Sequence, residues 1–223
     1  MEFGRTLVIA PHPDDEVLGA GGTIARLSDG GADVFVAVAT TGRPPLFDAA
    51  AVERVRAEAA EAHAILGVRE TRYLDQPAAE LDATPHRVLN AAVDALVREL
   101  EPQTLFVPFA NDIHLDHQLV ALSSMVAARP RDGTFPREVL AYETLSETNW
   151  NAPYLLPGFQ PHLFVDIADT LPRKLAAMQA YASQVRPAPD ERSLPTLQAL
   201  ATLRGATVHR AAAEAFVQIR RVV

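Results

Sequence analysis

The sequence predicts an α/β fold with a doubly wound, mainly parallel sheet and helices on both faces. Short, continuous apolar runs of the kind found in strands covered on both faces recur along the chain. Segments with helical spacing separate these runs, and strands connected in this way pair in parallel through right-handed crossovers. The length of 223 residues fits one domain with a full core, so we expect a single domain over residues 1–223.

The elements alternate regularly as far as residue 108. The apolar run over residues 6–10 ends at a proline and predicts the first strand, and residues 33–39 repeat its composition. Apolar side chains recur at helical spacing over residues 16–29, between these two strands. The pattern continues with helices over 51–66 and 85–100 and strands over 71–74 and 104–108. The second half predicts strands over 138–142 and 162–167 and helices over 116–128, 170–183 and 194–203. The predicted order of elements is Rossmann-like.

A proline-rich stretch over residues 149–161 also contains three aromatic residues. It has two interpretations. One is an ordinary connector between a strand and the next element. The other is a lid over a substrate, because loops longer than about 12 residues in a compact domain are often functional.

Composition and charge exclude several classes of function. The chain contains no cysteine, so any bound metal must be held by nitrogen and oxygen ligands. The net charge is −8 and no basic stripe occurs, which argues against a nucleic-acid partner. The sequence contains no secretory signal and no apolar run long enough to span a bilayer, so we expect no membrane insertion and a cytoplasmic location.

A histidine and two adjacent carboxylates follow the first predicted strand directly. They are His12, Asp14 and Asp15, and they occupy the carboxyl end of a strand predicted to be central, where open α/β sheets bind ligands. The alternative is that Asp14 or Asp15 only caps the following helix, as acidic residues often do. A cap accounts for one carboxylate and leaves the histidine unexplained.

A second cluster follows the predicted strand over residues 104–108. It contains two aspartates and two histidines, Asp112, His114, Asp116 and His117. Parallel strands place their carboxyl ends at one edge of the sheet, so we expect the two clusters to converge although about a hundred residues separate them.

The combined residues predict a hydrolytic metal site. Two histidines and one carboxylate, with a position left for water, form the ligand set of a catalytic zinc ion, which lowers the pKa of that water to about 7. Fe²⁺ and Mn²⁺ accept the same ligands, so the ligand types alone leave the identity of the metal open.

The two clusters resemble the HPDDE and HxDH motifs of the PIG-L or LmbE-like deacetylases, zinc-dependent enzymes that remove N-acetyl groups from N-acetylglucosamine-type substrates. The matching residues are His12-Pro13-Asp14-Asp15-Glu16 and His114-Leu115-Asp116-His117. Looser similarity begins at residues 19–23 and continues to residues 213–216, so the resemblance spans nearly the whole chain.

The resemblance implies a role for each motif residue. The zinc ligands would be His12, Asp15 and His117. Asp14 would be the general base that takes a proton from the water. His114 would stabilise the oxyanion or protonate the leaving amine, and Asp116 would orient it by a hydrogen bond. Amide hydrolysis requires an activated water, charge stabilisation at the tetrahedral carbon and a proton for the departing nitrogen. Glu16 would cap the helix or support the ligands.

Three further residues are candidates for substrate binding. Relatives often carry a substrate-facing arginine near Arg54 and Arg56, and the spacing does not distinguish between the two. Trp150 is the third candidate, because aromatic side chains pack on the apolar faces of pyranose rings. The implied partner is a small N-acetylated sugar or sugar conjugate, which the protein would bind as a monomer or a homo-oligomer.

Other functions remain as alternatives. The same residues would serve a hydrolase of another small amide or ester, or a non-catalytic member of the fold that binds a sugar or a metal. A dinucleotide site is excluded because the glycines at 19, 21 and 22 do not lie in the turn directly after the strand. The isolated histidines, such as His63 and His209, are expected to be surface or structurally satisfied residues.

Overall fold

In the computed structural model, which describes residues 3–131 and 133–223, one sheet lies between two layers of helices. Its strands are β1 (Thr6–Ala10), β2 (Val34–Thr41), β3 (Glu70–Pro77), β4 (Thr104–Pro108), β5 (Glu138–Tyr142), β6 (Leu163–Asp166) and β7 (Ala213–Arg221). The helices are α1 (Asp15–Asp29), α2 (Ala49–Leu66), α3 (His86–Leu100), α4 (Leu115–Ala127), α5 (Leu171–Ala180) and α6 (Leu194–Thr207).

The sheet has the order β3-β2-β1-β4-β5-β7-β6. Strands β1 to β5 are parallel, whereas β7 runs antiparallel to its neighbours β5 and β6. The chain therefore builds outward from β1 to β3, returns, and continues on the other side of β1 with β4. This reversal between β1 and β4 is the position at which doubly wound sheets bind ligands.

Two apolar cores, one on each face of the sheet, hold the helices in place. The central strand β1 is buried along its whole length and contributes Val8 to one core and Leu7 and Ile9 to the other. The first core joins the sheet to α1, α2, α5 and α6, and the second joins it to α3 and α4. Alternating side chains of a strand point to opposite faces, which is why a continuous apolar run suits a strand covered on both sides.

Helix α1 lies unusually close to its neighbours because its glycines leave room for them. A Cβ atom at Gly19 would come within 2.2 Å of the Tyr142 ring, and one at Gly22 within 2.7 Å of Ile167. These glycines therefore serve close packing. The packing fixes the start of α1, and thereby the residues just before it, relative to β5.

The predicted fold class is confirmed, and one strand was missed. The sequence analysis assigned no element to residues 213–221, which form β7. The predicted helix over 170–183 ends earlier, at Ala180, and the helix predicted over 194–203 extends to Thr207. Within the described residues, none of the helices combines the length and the apolar character needed to cross a membrane.

Candidate active site

The two predicted clusters meet at the carboxyl ends of β1 and β4. These strands are neighbours in register, with Thr6 opposite Thr104, and the loop after each strand carries one cluster. The ring of His12 lies 4.6 Å from that of His114 and 5.3 Å from that of His117, measured between ring centres. The expected convergence is therefore confirmed.

Three of these side chains form a group that could hold a metal ion. Each of His12, Asp15 and His117 offers one ligand atom, and these atoms all lie within 4.8 Å of one another. Asp15 and His117 are fully buried, while 22% of the His12 side chain is exposed. Among the described residues, Asp15 Oδ1 and His117 Nε2 are buried polar atoms without a hydrogen-bond partner. Such atoms are costly to bury, and a cation between them would satisfy both.

A second carboxylate fixes each histidine of this group through its other ring nitrogen. His12 Nε2 lies 3.0 Å from Asp116 Oδ2, and His117 Nδ1 lies 2.9 Å from Asp112 Oδ2. The remaining nitrogens are His12 Nδ1, 3.3 Å from Asp15 Oδ2, and His117 Nε2, 3.2 Å from the same oxygen. Metal-binding histidines usually donate their second ring N–H to a carboxylate in this way. The geometry thus leaves the second nitrogen of each ring facing the Asp15 carboxylate.

The sequence analysis expected Asp116 to orient His114 by a hydrogen bond, and the backbone of Asp116, not its carboxylate, makes a hydrogen bond to His114. The carboxylate instead pairs with His12 and accepts a hydrogen bond of 2.7 Å from the backbone N–H of Ala79. The contact between Asp116 and His114 is made by the Asp116 backbone N–H, which donates to His114 Nδ1 at 3.1 Å. Since His12 Nε2 and Asp116 are already bonded to each other, the alternative group of His12, His114 and Asp116 is the weaker candidate for a metal.

Asp112 is the residue whose importance the sequence analysis missed. It is fully buried, and besides His117 it accepts a hydrogen bond of 2.6 Å from the Thr148 hydroxyl. The sequence contained a signal, because Asp112 lies five residues before His117 and in the same polar cluster. Nothing in the sequence indicated that Thr148 would complete its partners.

Burial and neighbouring opposite charges determine the pKa values of His12, Asp15 and His117. Burial lowers the pKa of His12, but its hydrogen bonds to Asp116 and Asp15 outweigh this effect and raise it to about 9. Burial also lowers the pKa of His117, and the charge of Asp15 leads the effects that raise it to about 10. Burial raises the pKa of Asp15, yet the charge of His117 holds it well below its usual range. A metal binds neutral imidazole nitrogens, so a metal that bound here would displace protons from these rings.

Asp14 lies beside this group in an unusual backbone conformation. It occupies the N-cap position of α1 with φ 109°, in the left-handed region, and its side chain makes no capping hydrogen bond. The interpretation of Asp14 as a simple helix cap is therefore wrong. Its carboxylate is buried and lies 3.2 Å from Nη1 of Arg192. Burial raises the pKa of Asp14 to about 8, and the charge of Arg192 opposes this rise.

His114 lies at the entrance of the site. Its ring is partly exposed and lines the cleft that leads to the surface. Because Nδ1 accepts a backbone hydrogen bond, a neutral ring carries its proton on Nε2. Burial lowers the pKa of His114, and the charge of His12 lowers it further. The neutral form is therefore favoured at neutral pH.

A cleft of about 320 Å³ lies beside the candidate metal site and is lined by His12. Its polar residues include His12, Asp14, Arg56, His114, Glu147 and Arg192, and its apolar residues include Phe47, Val52, Val55 and Tyr73. The volume is at the lower end of the range usual for small-molecule sites. The cleft is thus lined both by polar, ionisable side chains and by apolar residues, several of which lie around the start of α2.

The structure distinguishes between the predicted substrate-binding residues. Arg56 lines the cleft, where its guanidinium lies 4.4 Å from the centre of the Tyr73 ring and donates a hydrogen bond of 2.9 Å to Thr41. It also forms an ion pair with Asp75. Arg54 is exposed and is not among the residues lining the cleft.

In the part of the chain that the structure describes, Trp150 likewise does not line the cleft. It ends a short 3₁₀ helix, Thr148–Trp150, and its indole N–H donates to Glu191 at 2.8 Å, with 63% of the residue exposed. The segment over residues 149–161 contacts the loop after β4, because Asn111 donates to the Pro157 carbonyl at 2.9 Å. It therefore adjoins the site, and its role as a lid stays a prediction.

Comparisons with known proteins identify related chains. The family model described as PIG-L, GlcNAc-PI de-N-acetylase, matches residues 7–128. A diacetylchitobiose deacetylase of Thermococcus kodakarensis is 29% identical over 81% of this chain and 70% of its own. The 1D-myo-inositol 2-acetamido-2-deoxy-alpha-D-glucopyranoside deacetylase of Mycolicibacterium smegmatis is 30% identical over 86% of this chain and 84% of its own. Among solved structures, the conserved protein TT1542 of Thermus thermophilus superposes with a TM-score of 0.79 at 27% identity, covering 98% of this chain and 96% of that one.

Proposed function

The chain belongs to the PIG-L family of GlcNAc-PI de-N-acetylases, and on this basis we propose that it hydrolyses the N-acetyl group of an N-acetylglucosamine-type sugar or conjugate. The observation that carries the proposal is the convergence of His12, Asp15 and His117. Of these, His12 lines the cleft together with Asp14 and His114. The products would be acetate and the free amine of the sugar.

His12, Asp15 and His117 would hold a divalent metal, for which we propose Zn²⁺. Their donor set of two nitrogens and one carboxylate oxygen matches that of catalytic zinc sites. When bound, the ion would supply a water of lowered pKa and a Lewis acid for the carbonyl oxygen. Asp116 and Asp112 fix the two imidazole rings, so that each presents its second nitrogen toward Asp15.

Asp14 is the general base in this proposal. Its carboxylate is held in the cleft lining by Arg192, and burial raises its pKa to about 8. General bases act best when their pKa lies near the operating pH. A base of this pKa can take a proton from the attacking water and then deliver it to the departing nitrogen. Water contributes OH to the acetyl carbon and H to the amine, so the reaction is balanced without a further reactant.

His114 stabilises the negative charge that develops on the carbonyl oxygen. Its Nε2 is the protonated nitrogen of the neutral ring, because Nδ1 accepts the Asp116 N–H. A positioned N–H donor of this kind contributes to catalysis because its hydrogen bond strengthens as the oxyanion forms. The lowered pKa of His114 keeps the ring in this neutral, donating form.

The cleft favours a small substrate with one polar and one apolar side. Arg56 presents a guanidinium that Tyr73, Thr41 and Asp75 hold in place, which suits the hydroxyl groups of a sugar. The apolar part of the lining includes Phe47 and suits the C–H face of a pyranose ring.

Acetate release from N-acetylated sugars tests the proposal. Protein loaded with Zn²⁺ is incubated with N,N′-diacetylchitobiose or an N-acetylglucosaminyl inositol, and the acetate and free amine are quantified together. We expect both products in equal amounts, and their loss in His117→Ala. Tight sugar binding without acetate release would favour a non-catalytic binding protein, and cleavage of simple amides or esters in preference to both sugars would favour a different hydrolase.

A further inference from the structure

Glu16 is a fully buried carboxylate for which the reaction proposed above has no direct use. Three hydrogen-bond donors surround it. Its Oε2 accepts the backbone N–H of Asp14 at 3.2 Å. Its Oε1 accepts the Tyr181 hydroxyl at 2.7 Å and lies 3.0 Å from Nε2 of His63. A buried carboxylate with this many partners has a fixed position, and it therefore fixes the backbone of Asp14, which donates to it.

The backbone that Glu16 holds is a strained one. Asp14 has φ 109°, a conformation that residues other than glycine rarely adopt. Such residues cost about 1–3 kcal/mol and persist only where the surroundings enforce them. The carbonyl of Asp14 already accepts the N–H groups of Val17 and Leu18, at 3.0 Å and 2.9 Å, as part of the helix start. Among the described residues, Glu16 is the side chain that holds its N–H.

The position of Glu16 itself is determined by two other parts of the fold. His63 belongs to the last turn of α2, and its Nδ1 lies 2.6 Å from the Thr71 hydroxyl in β3. Tyr181 is fully buried and follows α5 directly. A helix-capping role would account only for the bond to the Asp14 N–H, as in a capping box. It does not explain why the second carboxylate oxygen is held by residues of α2 and of the segment after α5.

We propose that Glu16 is a positioning residue that anchors the turn carrying the base, so that the Asp14 carboxylate faces the cleft. Through its hydrogen bonds, Glu16 fixes the strained residue at the start of α1 relative to α2, β3 and the end of α5. The proposal rests on the proposed function for the identity of the base. In this proposal His63 is a structurally satisfied histidine, as the sequence analysis expected, and its partner Glu16 matters for catalysis.

Steady-state kinetics of Glu16→Gln and Tyr181→Phe test this inference in the full-length, Zn²⁺-loaded protein. Glu16→Gln preserves the shape of the side chain and removes its charge, and Tyr181→Phe removes one donor only. Since a misplaced catalytic group costs up to about 10²-fold, we expect kcat to fall about 10- to 100-fold in Glu16→Gln and less in Tyr181→Phe, with KM and metal content little changed. The matched control is Glu138→Gln. Glu138 is a buried glutamate at the beginning of β5, so it lies at the amino ends of the parallel strands, whereas the site lies at their carboxyl ends.

The decisive measurement combines Glu16→Gln with Asp14→Asn. If Glu16 acts through the base, its substitution changes the residual rate of Asp14→Asn by less than about twofold, because residues that act as one unit are non-additive. A purely structural role would lower the rate of both backgrounds by the same factor and would overturn the inference. A crystal structure of Glu16→Gln gives a readout independent of activity, in which φ of Asp14 is expected to leave the left-handed region.

The outcomes separate this inference from the proposed function. Absence of acetate release by the wild-type protein would contradict the proposed function. An active wild-type protein whose Glu16→Gln variant matches Glu138→Gln in kcat, or retains the φ of Asp14, would contradict the role of Glu16. If Glu16→Gln fails to fold, the same comparisons apply to Tyr181→Phe.

Discussion

Replacing Asp112 by asparagine is expected to weaken metal binding although it removes no ligand. Asp112 Oδ2 lies 2.9 Å from His117 Nδ1, and both side chains are fully buried. In this setting the carboxylate makes the imidazole a better ligand by accepting its N–H and by placing negative charge behind it. The asparagine side chain would keep one acceptor oxygen, which can take the N–H of His117, and would lose the charge. Its NH2 group would then face the Thr148 hydroxyl, which bonds the other carboxylate oxygen of Asp112.

The size of the effect follows from the contact. Loss of an outer carboxylate partner typically lowers metal affinity 10- to 100-fold, which corresponds to about 1.4–2.8 kcal/mol. Asp116→Asn is expected to have an effect of the same kind on His12, and a smaller one, because 22% of the His12 side chain is exposed and Asp116 also bonds the Ala79 N–H. The two ligands would share one metal and both contact Asp15, so the effects of the two substitutions on the free energy of binding are expected to be non-additive.

Competition of metal-free protein against a chromophoric chelator for Zn²⁺ gives these affinities directly. The control is Asp94→Asn, an aspartate of α3 that pairs with Arg98 on the surface. Thermal stability is recorded in parallel to separate unfolding from weaker binding. A Zn²⁺ affinity for Asp112→Asn equal to that of Asp94→Asn would refute the assignment of His117 Nε2 as the ligand atom supported by Asp112.

Three further predictions concern catalysis and substrate binding. Asp14→Asn is expected to retain one metal per chain and to lose about 10²- to 10⁴-fold in kcat, and near-normal acetate release would remove Asp14 from the mechanism. Arg192→Gln removes the cation beside Asp14, so the pKa of the base rises and the ascending limb of the pH–rate profile moves to higher pH; a limb that stays in place would contradict the ion pair. Arg56→Ala is expected to raise KM, and Arg54→Ala, on the same helix but exposed, to leave it unchanged; equal KM values for both variants would exclude Arg56 from the substrate site.

The sequence predicted the fold class and the central strands because local signals determine them. The apolar runs of β1 and β4 are bounded by proline or polar residues, and both strands have the predicted bounds, residues 6–10 and 104–108. Strand β7 was missed because Glu214, a charged residue near its beginning, argues against burial. In the fold, Glu214 is buried through an ion pair with Lys174 and hydrogen bonds from the N–H groups of Gly22 and Thr23. Those partners come from α1 and α5, so no local pattern reports them.

The candidate site, too, could be predicted from the sequence only in part. The motif residues could be identified from their types and spacing, and their convergence followed from the parallel topology. The partners that fix them are set by tertiary contacts. Arg192 reaches Asp14 from 178 positions away, and Tyr181 reaches Glu16 from 165 positions away. The pairing of Asp116 with His12 depends on ring orientation, which motif spacing does not encode.

The central claim is that a single divalent metal, held by His12, Asp15 and His117, is required for removal of an N-acetyl group. Its most direct test is to titrate metal-free protein with Zn²⁺ and to measure the rate of acetate release from N,N′-diacetylchitobiose at each ratio of metal to protein. We predict that the rate rises from the background level and reaches its plateau at about one ion per chain, the occupancy expected for one three-ligand site. Full acetate release by the metal-free protein, or a titration that His117→Ala leaves unchanged, would contradict the account.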